Sequence, residues 1–292
     1  EKRELHRDVL FNETKVRDTL RLTKRPDQRS SRSSPMHWIL QENLINPTTR
    51  DQVRQLLLAR QVEHTLVRLI PFFHQVDGEM PAPAGPVFVY GSTGLGAVAK
   101  SQGWAPGYFD DNLDYELMLR QYGGLALNAS AICATLHEMP RVADRFFVRP
   151  VLDNKSFAGT VMTWEEFEAF RRGVAQVANE QDATLSLTDR IVAAPLTDIS
   201  AEYRCFVIGD KVVTASRYKT GELVAYSPDV PTEMTAFAQG CVDHWRPNDA
   251  FTIDVAVTRA GPKVIELNSA NSAGFYACDV GAIIDAVNSR LN

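Results

Sequence analysis

The chain of 292 residues is 45% hydrophobic and 23% charged, a composition that is typical of folded globular proteins and excludes collagen-like, low-complexity and wholly disordered classes. A net charge of −5 argues against nucleic acid as the main partner, and no apolar run approaches the roughly 20 residues of a membrane helix. The four cysteines lie far apart and no export signal is visible at the start, so we expect reduced thiols and a cytoplasmic location.

Residues 1–35 differ in charge from the rest of the chain. They carry ten basic and six acidic side chains, a net charge of +4, whereas the remainder is acidic. The stretch ends in Arg29–Pro35, which is rich in serine and closed by proline, as linkers often are. We therefore interpret residues 1–35 as a basic N-terminal extension and linker, with an arm that binds nucleic acid or a partner protein as the alternative.

The next block, residues 36–145, alternates predicted strands and helices. The short apolar runs His37–Leu40, His64–Ile70 and Val87–Tyr90 are typical of strands. Between the first two, Thr48–Asp51 can cap a helix that extends to about Gln61. This order predicts a small α/β domain with a parallel sheet.

A glycine-containing turn, Gly91–Gly96, follows the third strand and precedes a second helix. Backbone N–H groups in such a turn can bind an anion. The spacing, however, matches neither the dinucleotide-binding nor the P-loop pattern, because Lys100 comes too late. We interpret the segment as a tight turn with a helix start; a nucleotide phosphate site is the alternative, and we treat the turn at most as a substrate contact.

The block from about residue 146 to 194 begins with a strand, Phe146–Pro150, that carries Arg149. A turn-rich loop with Lys155 follows, and a helix is predicted over Thr163–Asn179. The aromatic residues of this helix recur every three or four positions, which indicates core packing rather than a ligand cage. Residues Ile191–Leu196 are then typical of a short buried strand that ends in a turn.

A cationic hairpin is predicted next. The strands Glu202–Ile208 and Lys211–Lys219 are joined by the two-residue turn Gly209–Asp210. With period-two alternation, Arg217 and Lys219 share one face, and the hairpin can bring Arg204 near them. Three converging cations repel one another unless an anion lies between them, and phosphate is the obvious candidate.

A helix over about Thr232–Trp245 separates this hairpin from a second one, in which two apolar strands are each interrupted by polar residues. Glu266 and Asn268 are two positions apart, so they face the same way, and Asp254 can meet them across the hairpin. Two carboxylates and an amide oxygen are hard ligands suited to Mg²⁺. The alternative is that these residues are solvent-facing positions of an amphipathic hairpin.

Taken in order, these features resemble the ATP-grasp superfamily, and in particular its RimK-like branch and the small phage- and bacteria-associated ATP-grasp proteins. The resemblance covers about Met36 to Asn292. Its most specific parts are Phe147–Pro150, Glu202–Arg204, and Ile253–Asp254 with Glu266–Asn268. It implies an ATP-grasp fold, with a small N-terminal α/β (pre-ATP-grasp) domain over 36–145 and an ATP-grasp domain over 146–292. The latter would consist of two α+β lobes, about 146–194 and 195–292, that hold ATP between them.

The resemblance also implies roles for individual residues. Arg149, where the family usually has lysine, and Lys155 would contact the nucleotide phosphates. The adenine hinge would comprise Ala193, Ala194 and Leu196, and Glu202 would contact the ribose. The γ-phosphate and the acyl-phosphate intermediate would be held by Arg204, Arg217 and Lys219. One or two Mg²⁺ ions would be held by Asp254, Glu266 and Asn268. In the loop after the last strand, Asn271 and Ser272 are candidate substrate contacts.

The implied function is an ATP- and Mg²⁺-dependent carboxylate–amine ligase that acts through an acyl phosphate. Such a reaction needs cations and metal ions rather than a nucleophilic side chain, and the sequence shows no persuasive Ser-His-Asp or Cys-His arrangement. The expected partners are small-molecule or peptide and protein substrates, with neither membrane nor nucleic acid. The alternatives are an ATP-dependent phosphotransferase and a catalytically silent nucleotide-binding regulatory module. The sequence leaves the oligomeric state and the substrates open.

Overall fold

The computed structural model describes residues 35–44, 46–152, 157–177 and 185–291. The predicted N-terminal extension, apart from Pro35, lies outside these residues. In the part of the chain that is described, no helix is both long enough and apolar enough to cross a membrane.

The first sheet is parallel, as predicted. Its strands are β1 (His37–Gln41), β2 (His64–Val67), β3 (Val87–Tyr90) and β4 (Pro106–Gly107), in the order β2-β1-β3-β4. Helix α1 (Pro47–Ala59) follows β1 and is capped by Asn46, whose side chain accepts a hydrogen bond from the N–H of Thr48.

Helix α2 (Thr93–Gln102) begins within the glycine-containing turn. The first two N–H groups of this turn have partners inside the protein. Gly91 donates to the carbonyl of Asn271, and the backbone N–H and hydroxyl of Ser92 both donate to Oε1 of Gln41. A Cβ atom at Gly91 would lie 2.8 Å from the Gln41 side chain, so only glycine fits there. These contacts support the interpretation as a tight turn.

Helix α3 (Tyr115–Tyr122) leads into the second sheet, which is antiparallel. Its strands lie in the order β5-β8-β6-β7 and are β5 (Ile132–Thr135), β6 (Arg145–Pro150), β7 (Thr160–Thr163) and β8 (Arg190–Pro195). Helix α4 (Trp164–Val177) packs on this sheet through Phe167, in agreement with the predicted core role of its aromatic residues.

The boundary predicted near residue 145 differs from this arrangement. β5 precedes that boundary but pairs with β8, so the second sheet includes a strand from before residue 146. The run Ile132–Thr135 is only four residues long and does not alternate, so its pairing could not be read from the sequence.

The third sheet, called here the grasp sheet, contains the strands β9 (Ala201–Ile208), β10 (Lys211–Thr220), β11 (Leu223–Ser227), β12 (Ala250–Thr258) and β13 (Gly261–Ser269). Its order is β11-β10-β9-β12-β13, and all neighbours are antiparallel. The turn between β9 and β10 is the predicted Gly209–Asp210, with Gly209 at φ +64°, in the left-handed region. Both predicted hairpins are therefore confirmed.

Towards the end of β9, both faces of the grasp sheet pack against other elements of the fold. Cys205 and Val207 of β9 pack with helix α5 (Thr232–His244) and with α3, whereas Phe206 and Ile208 pack with helix α6 (Val280–Arg290) and the first sheet. At the start of β9, Glu202 instead faces a cleft. Glu202 shares a face with Phe206 and Ile208, so the candidate site and the core lie at opposite ends of the same face of this strand.

Asn271 joins the first sheet to the loop that follows β13. Its side chain is fully buried, and Nδ2 donates to the carbonyls of Val89 (2.6 Å) and Gly107 (3.1 Å). Oδ1 accepts from the N–H of Phe109 (2.9 Å) and the hydroxyl of Ser269 (3.3 Å). Because an amide has two donors and two lone pairs on its oxygen, this side chain is saturated. The prediction that Asn271 contacts substrate is therefore wrong; its neighbour Ser272 is exposed on the same loop.

Replacement of Asn271 tests this structural role. We expect Asn271→Ala to lower the free energy of unfolding by at least about 2 kcal/mol, because it leaves buried backbone groups without partners. Ser272→Ala, on the exposed neighbour, is the control and should change stability by no more than about 0.5 kcal/mol. Urea unfolding followed by circular dichroism measures both. Equal stabilities of the two variants would restore Asn271 as a candidate substrate contact.

Candidate active site

A cleft of about 860 Å³ separates the second sheet from the grasp sheet, and a pocket of about 510 Å³ adjoins it. Both volumes lie within the roughly 300–1,000 Å³ of small-molecule sites. Six residues line both cavities, which makes them one continuous site: Phe147, Arg149, Gly159, Glu202, Ile265 and Glu266.

The first ion pair of the cleft joins the two sheets. Nη1 of Arg149 on β6 donates to Oε2 of Glu266 on β13 at 2.6 Å, and the side chains are 14% and 28% exposed. Nδ2 of Asn268 donates to the other carboxylate oxygen at 3.1 Å. Burial alone would raise the pKa of Glu266, but the charge of Arg149 and the amide of Asn268 lower it below its ordinary value. Glu266 is therefore a carboxylate at neutral pH.

The second ion pair lies deeper in the grasp sheet. Arg204 on β9 is directly opposite Asp254 on β12, and Nε and Nη2 donate to Oδ1 and Oδ2 at 2.9 and 2.7 Å. The side chains are only 8% and 1% exposed. Burial would lower the pKa of Arg204, but the charge and hydrogen bonds of Asp254 raise it. The guanidinium thus stays charged although it has left bulk water.

The third ion pair is at the mouth of the cleft. Nζ of Lys219 lies 3.3 Å from Oε1 of Glu202, and the hydroxyl of Tyr218 donates to Oε2 at 2.6 Å. Burial and the carboxylates of Asp254 and Glu202 raise the pKa of Tyr218, so its hydroxyl keeps the proton. Both oxygens of Glu202, the predicted ribose contact, already have partners within the protein.

Arg217 does not join the other predicted cations. Lys219 pairs with Glu202, but Arg217 pairs with Tyr203, whose side chain lies on the opposite face in the core beneath α5. A bulge between Arg217 and Lys219 inserts one extra residue and reverses the alternation. The prediction that these two residues share a face is therefore wrong.

The three predicted metal ligands share one sheet face, but they are not equivalent. Asp254 lies directly opposite Glu266, and Asn268 is two positions further along β13. However, Asp254 is only 1% exposed, lines neither cavity and is held on both oxygens by Arg204, so its predicted metal role does not fit this arrangement. Across the described ranges, no three His, Cys, Asp or Glu side chains are grouped so that they could hold a metal ion. Glu266 and Asn268 remain as adjacent oxygen ligands at the cleft wall.

The predicted adenine hinge, Ala193 to Leu196, falls at the end of β8. Ala193 and Ala194 are buried within β8, and Ala193 is paired on both sides, with β5 and with β6. A residue paired on both sides has few free backbone groups to offer a base, so Ala193 does not fit the predicted role, whereas Ala194 is paired with β6 alone and stays a prediction. The wall of the cleft begins just beyond them and includes Leu196. The predicted phosphate contact Lys155 lies outside the described residues.

Two residues of the cleft wall were missed by the sequence reasoning. Tyr115 at the start of α3 lies beneath Arg149, with the guanidinium 4.5 Å from the ring centroid. Nδ2 of Asn128 donates to the Tyr115 hydroxyl at 2.8 Å and holds the ring in place. No spacing pattern marks either residue, because each reaches the cleft from the segment before β5 only through tertiary packing.

Two α+β sheets that clasp a charged cleft define an ATP-grasp protein. The family model for "ATP-grasp domain, R2K clade family 3" matches residues 65–287, so the chain belongs to this family. The predicted fold class is confirmed, and membership places the chain in the class of ATP-grasp ligases. No curated protein matches the chain.

Solved structures agree on the fold at low identity. A RimK domain ATP-grasp protein from Sphaerobacter thermophilus is 14% identical, with a TM-score of 0.57 over 85% of this chain and 97% of that one. D-alanine–D-alanine ligase from Bacillus anthracis, complexed with ATP, is 13% identical, with a TM-score of 0.56 over 89% and 97%. The ATP-grasp ligase PsnB, complexed with a minimal precursor, is 17% identical, with a TM-score of 0.56 over 89% and 100%.

The buried pair Arg204–Asp254 leads to a stability prediction. Asp254→Ala leaves an unpaired buried guanidinium and should lower the free energy of unfolding by about 3–5 kcal/mol. Asp285→Ala is the matched control, because Asp285 also forms two hydrogen bonds to an arginine, Arg60, but at an exposed site where a loss of at most about 1 kcal/mol is expected. Thermal and urea unfolding measure both. Similar losses in the two variants would contradict the structural importance assigned to Asp254.

Proposed function

We propose that the protein is an ATP- and Mg²⁺-dependent ligase that joins a carboxylate to an amine through an acyl phosphate. The observation that carries the proposal is the row of cation–carboxylate pairs whose carboxylates lie on one face of the grasp sheet. Arg149–Glu266 and Lys219–Glu202 line the cleft, and Arg204–Asp254 lies between their strands. Such a site offers charge to anions on both sides of a phosphoryl group without a nucleophilic side chain.

The chemistry explains why such a site is needed. A carboxylate does not condense with an amine at neutral pH, because an oxide ion would have to leave. When a carboxylate oxygen instead attacks the γ-phosphorus of ATP, ADP leaves and a mixed anhydride forms. The amine then attacks the carbonyl carbon, loses a proton, and displaces phosphate, which retains the oxygen that came from the carboxylate. Both steps move negative charge between anions, and positioned cations stabilise that movement.

The residues present fit Mg²⁺ and nucleotide phosphates. Glu266 and Asn268 would supply oxygen ligands, and bound Mg²⁺ would neutralise phosphate charge. Arg149 and Lys219 are the accessible cations for phosphate, and Lys155 is proposed as a further contact. Arg204, held flat by Asp254, would present its remaining N–H groups to the transferred phosphoryl group. In this proposal Asp254 is a positioning residue, and Arg217 has no part in the site.

The nature of the substrates is supported by the solved structures at the level of chemical class. One of them is a D-alanine–D-alanine ligase, which is named for amino-acid substrates, and another is PsnB, whose complex contains a precursor. For the present chain we propose an amino acid, peptide or protein as the source of the carboxylate and of the amine.

Oxygen-18 transfer tests the proposed reaction. The protein is incubated with ATP, Mg²⁺, a pool of amino acids and peptides labelled with ¹⁸O in their carboxylates, and unlabelled amines. We expect ¹⁸O in the released phosphate, only when carboxylate and amine are both present. Glu266→Ala should reduce the rate by about 100-fold or more. Glu165→Ala, which removes an exposed carboxylate from α4, should leave it unchanged.

Two outcomes would contradict the proposal. Release of ADP with the phosphoryl group retained on a stable product would identify a phosphotransferase. Tight binding of ATP without turnover on any pool would identify a regulatory module.

A further inference from the structure

The face of the grasp sheet that carries the ion pairs continues beyond the cleft to its outermost strand. Val224 on β11 lies directly opposite Lys219 on β10, which lies opposite Glu202 on β9. Residues opposite one another in an antiparallel sheet share a face, and alternation places Tyr226 on it as well. Val224 and Tyr226 are therefore on the same side of the sheet as the catalytic cations.

This outer part of the face is apolar and open. Val224 is 71% exposed and Tyr226 is 59% exposed. The ring of Tyr226 lies 5.2 Å from that of Tyr276, which stacks at 4.9 Å on Tyr218, and the guanidinium of Arg204 lies 4.8 Å from the centroid of the Tyr276 ring. We call Tyr218, Tyr226 and Tyr276 the tyrosine shelf. It forms an unbroken path of rings from the sheet edge to the arginine proposed to meet the phosphoryl group.

β11 is also an edge strand. It ends the sheet order, and among the described residues its only strand partner is β10. Its outward N–H and carbonyl groups are thus available for another strand. Edge strands are usually protected by charge, proline or a covering segment, whereas this one exposes Leu223, Val224 and Tyr226. An edge with these properties is suited to bind an extended peptide by strand addition.

We propose that β11 and the tyrosine shelf dock an extended peptide segment of the acceptor substrate. The peptide backbone pairs with β11, alternate side chains lie on Val224 and Tyr226, and the carboxylate to be activated is directed along the shelf towards Arg204. Continuity between the edge and the active site favours a substrate over a second copy of this chain, since only a substrate needs to contact both. The inference rests on the proposed function and specifies its acceptor as a peptide.

Peptide binding tests the inference without any need for turnover. The probes are fluorescein-labelled hexapeptides that alternate threonine with valine or phenylalanine and end in glutamate, and binding is followed by fluorescence anisotropy. Tyr226→Ala should weaken binding by about tenfold. Leu223→Ala is the matched control, because Leu223 is 74% exposed on the same strand but, opposite Thr220, lies on the other face. It should change the affinity by less than about twofold. Methylation of one of the two alternate sets of peptide amides should abolish binding, because that set supplies the N–H donors that face β11 in strand pairing.

Three results would overturn the inference. They are no peptide binding to the parent protein, equal binding to the parent and Tyr226→Ala, and a homodimer by light scattering that Tyr226→Ala dissociates. ATP binding measured on the same preparation separates the two proposals. ATP binding without peptide binding refutes only the docking edge, whereas peptide binding without ATP binding refutes the ligase and leaves a peptide-binding sheet.

Discussion

The bidentate ion pair between Arg204 and Asp254 connects the parts of this structure. Two charges taken out of water in the centre of a sheet are tolerable only if each satisfies the other, and the directly opposed positions on β9 and β12 provide that geometry. The loop after β13 completes the site, since the carbonyl of Gly274 accepts a further hydrogen bond from Arg204 at 3.3 Å and Tyr276 lies against the guanidinium. The same loop holds the first sheet through Asn271. The pair and the junction between sheets therefore depend on one segment.

The three ion pairs differ in how far their side chains are exposed to solvent, which suits them to different roles in the proposed reaction. Arg204–Asp254 is shielded from solvent, which suits the proposed positioning role, whereas Arg149–Glu266 and Lys219–Glu202 border the cleft, where a bound ion could reach them. Binding of a polyanion together with a divalent cation would replace the one attraction between Arg149 and Glu266 with an attraction of each residue to a bound ion, so that neither is left unpaired. The polyanion and the divalent cation would therefore each make the binding free energy of the other more favourable, which is thermodynamic coupling.

Much of this architecture could be predicted from the sequence, because period-two and period-three-to-four patterns report on which side of an element the core lies. The parallel first sheet, both hairpins of the grasp sheet and the packing role of α4 follow from such patterns. The predictions failed where one extra residue changes the register of a strand, or where tertiary packing determines which groups a side chain contacts. The bulge beside Arg217 places its side chain on the face opposite to that of Lys219. Asp254 hydrogen-bonds Arg204 instead of facing the cleft, and Asn271 hydrogen-bonds the backbone of the first sheet. Tyr115 and Asn128 belong to the site only through packing, on which local sequence carries no information.

The claim on which the account rests is that the cleft beside Glu266 binds ATP together with Mg²⁺. Calorimetric titration of ATP, with and without Mg²⁺, measures it directly on the parent protein and on Glu266→Ala. The account predicts tight binding that requires Mg²⁺ and is weakened by at least about tenfold in Glu266→Ala. Binding that is indifferent to both Mg²⁺ and Glu266, or no binding of ATP to the parent protein, would contradict it.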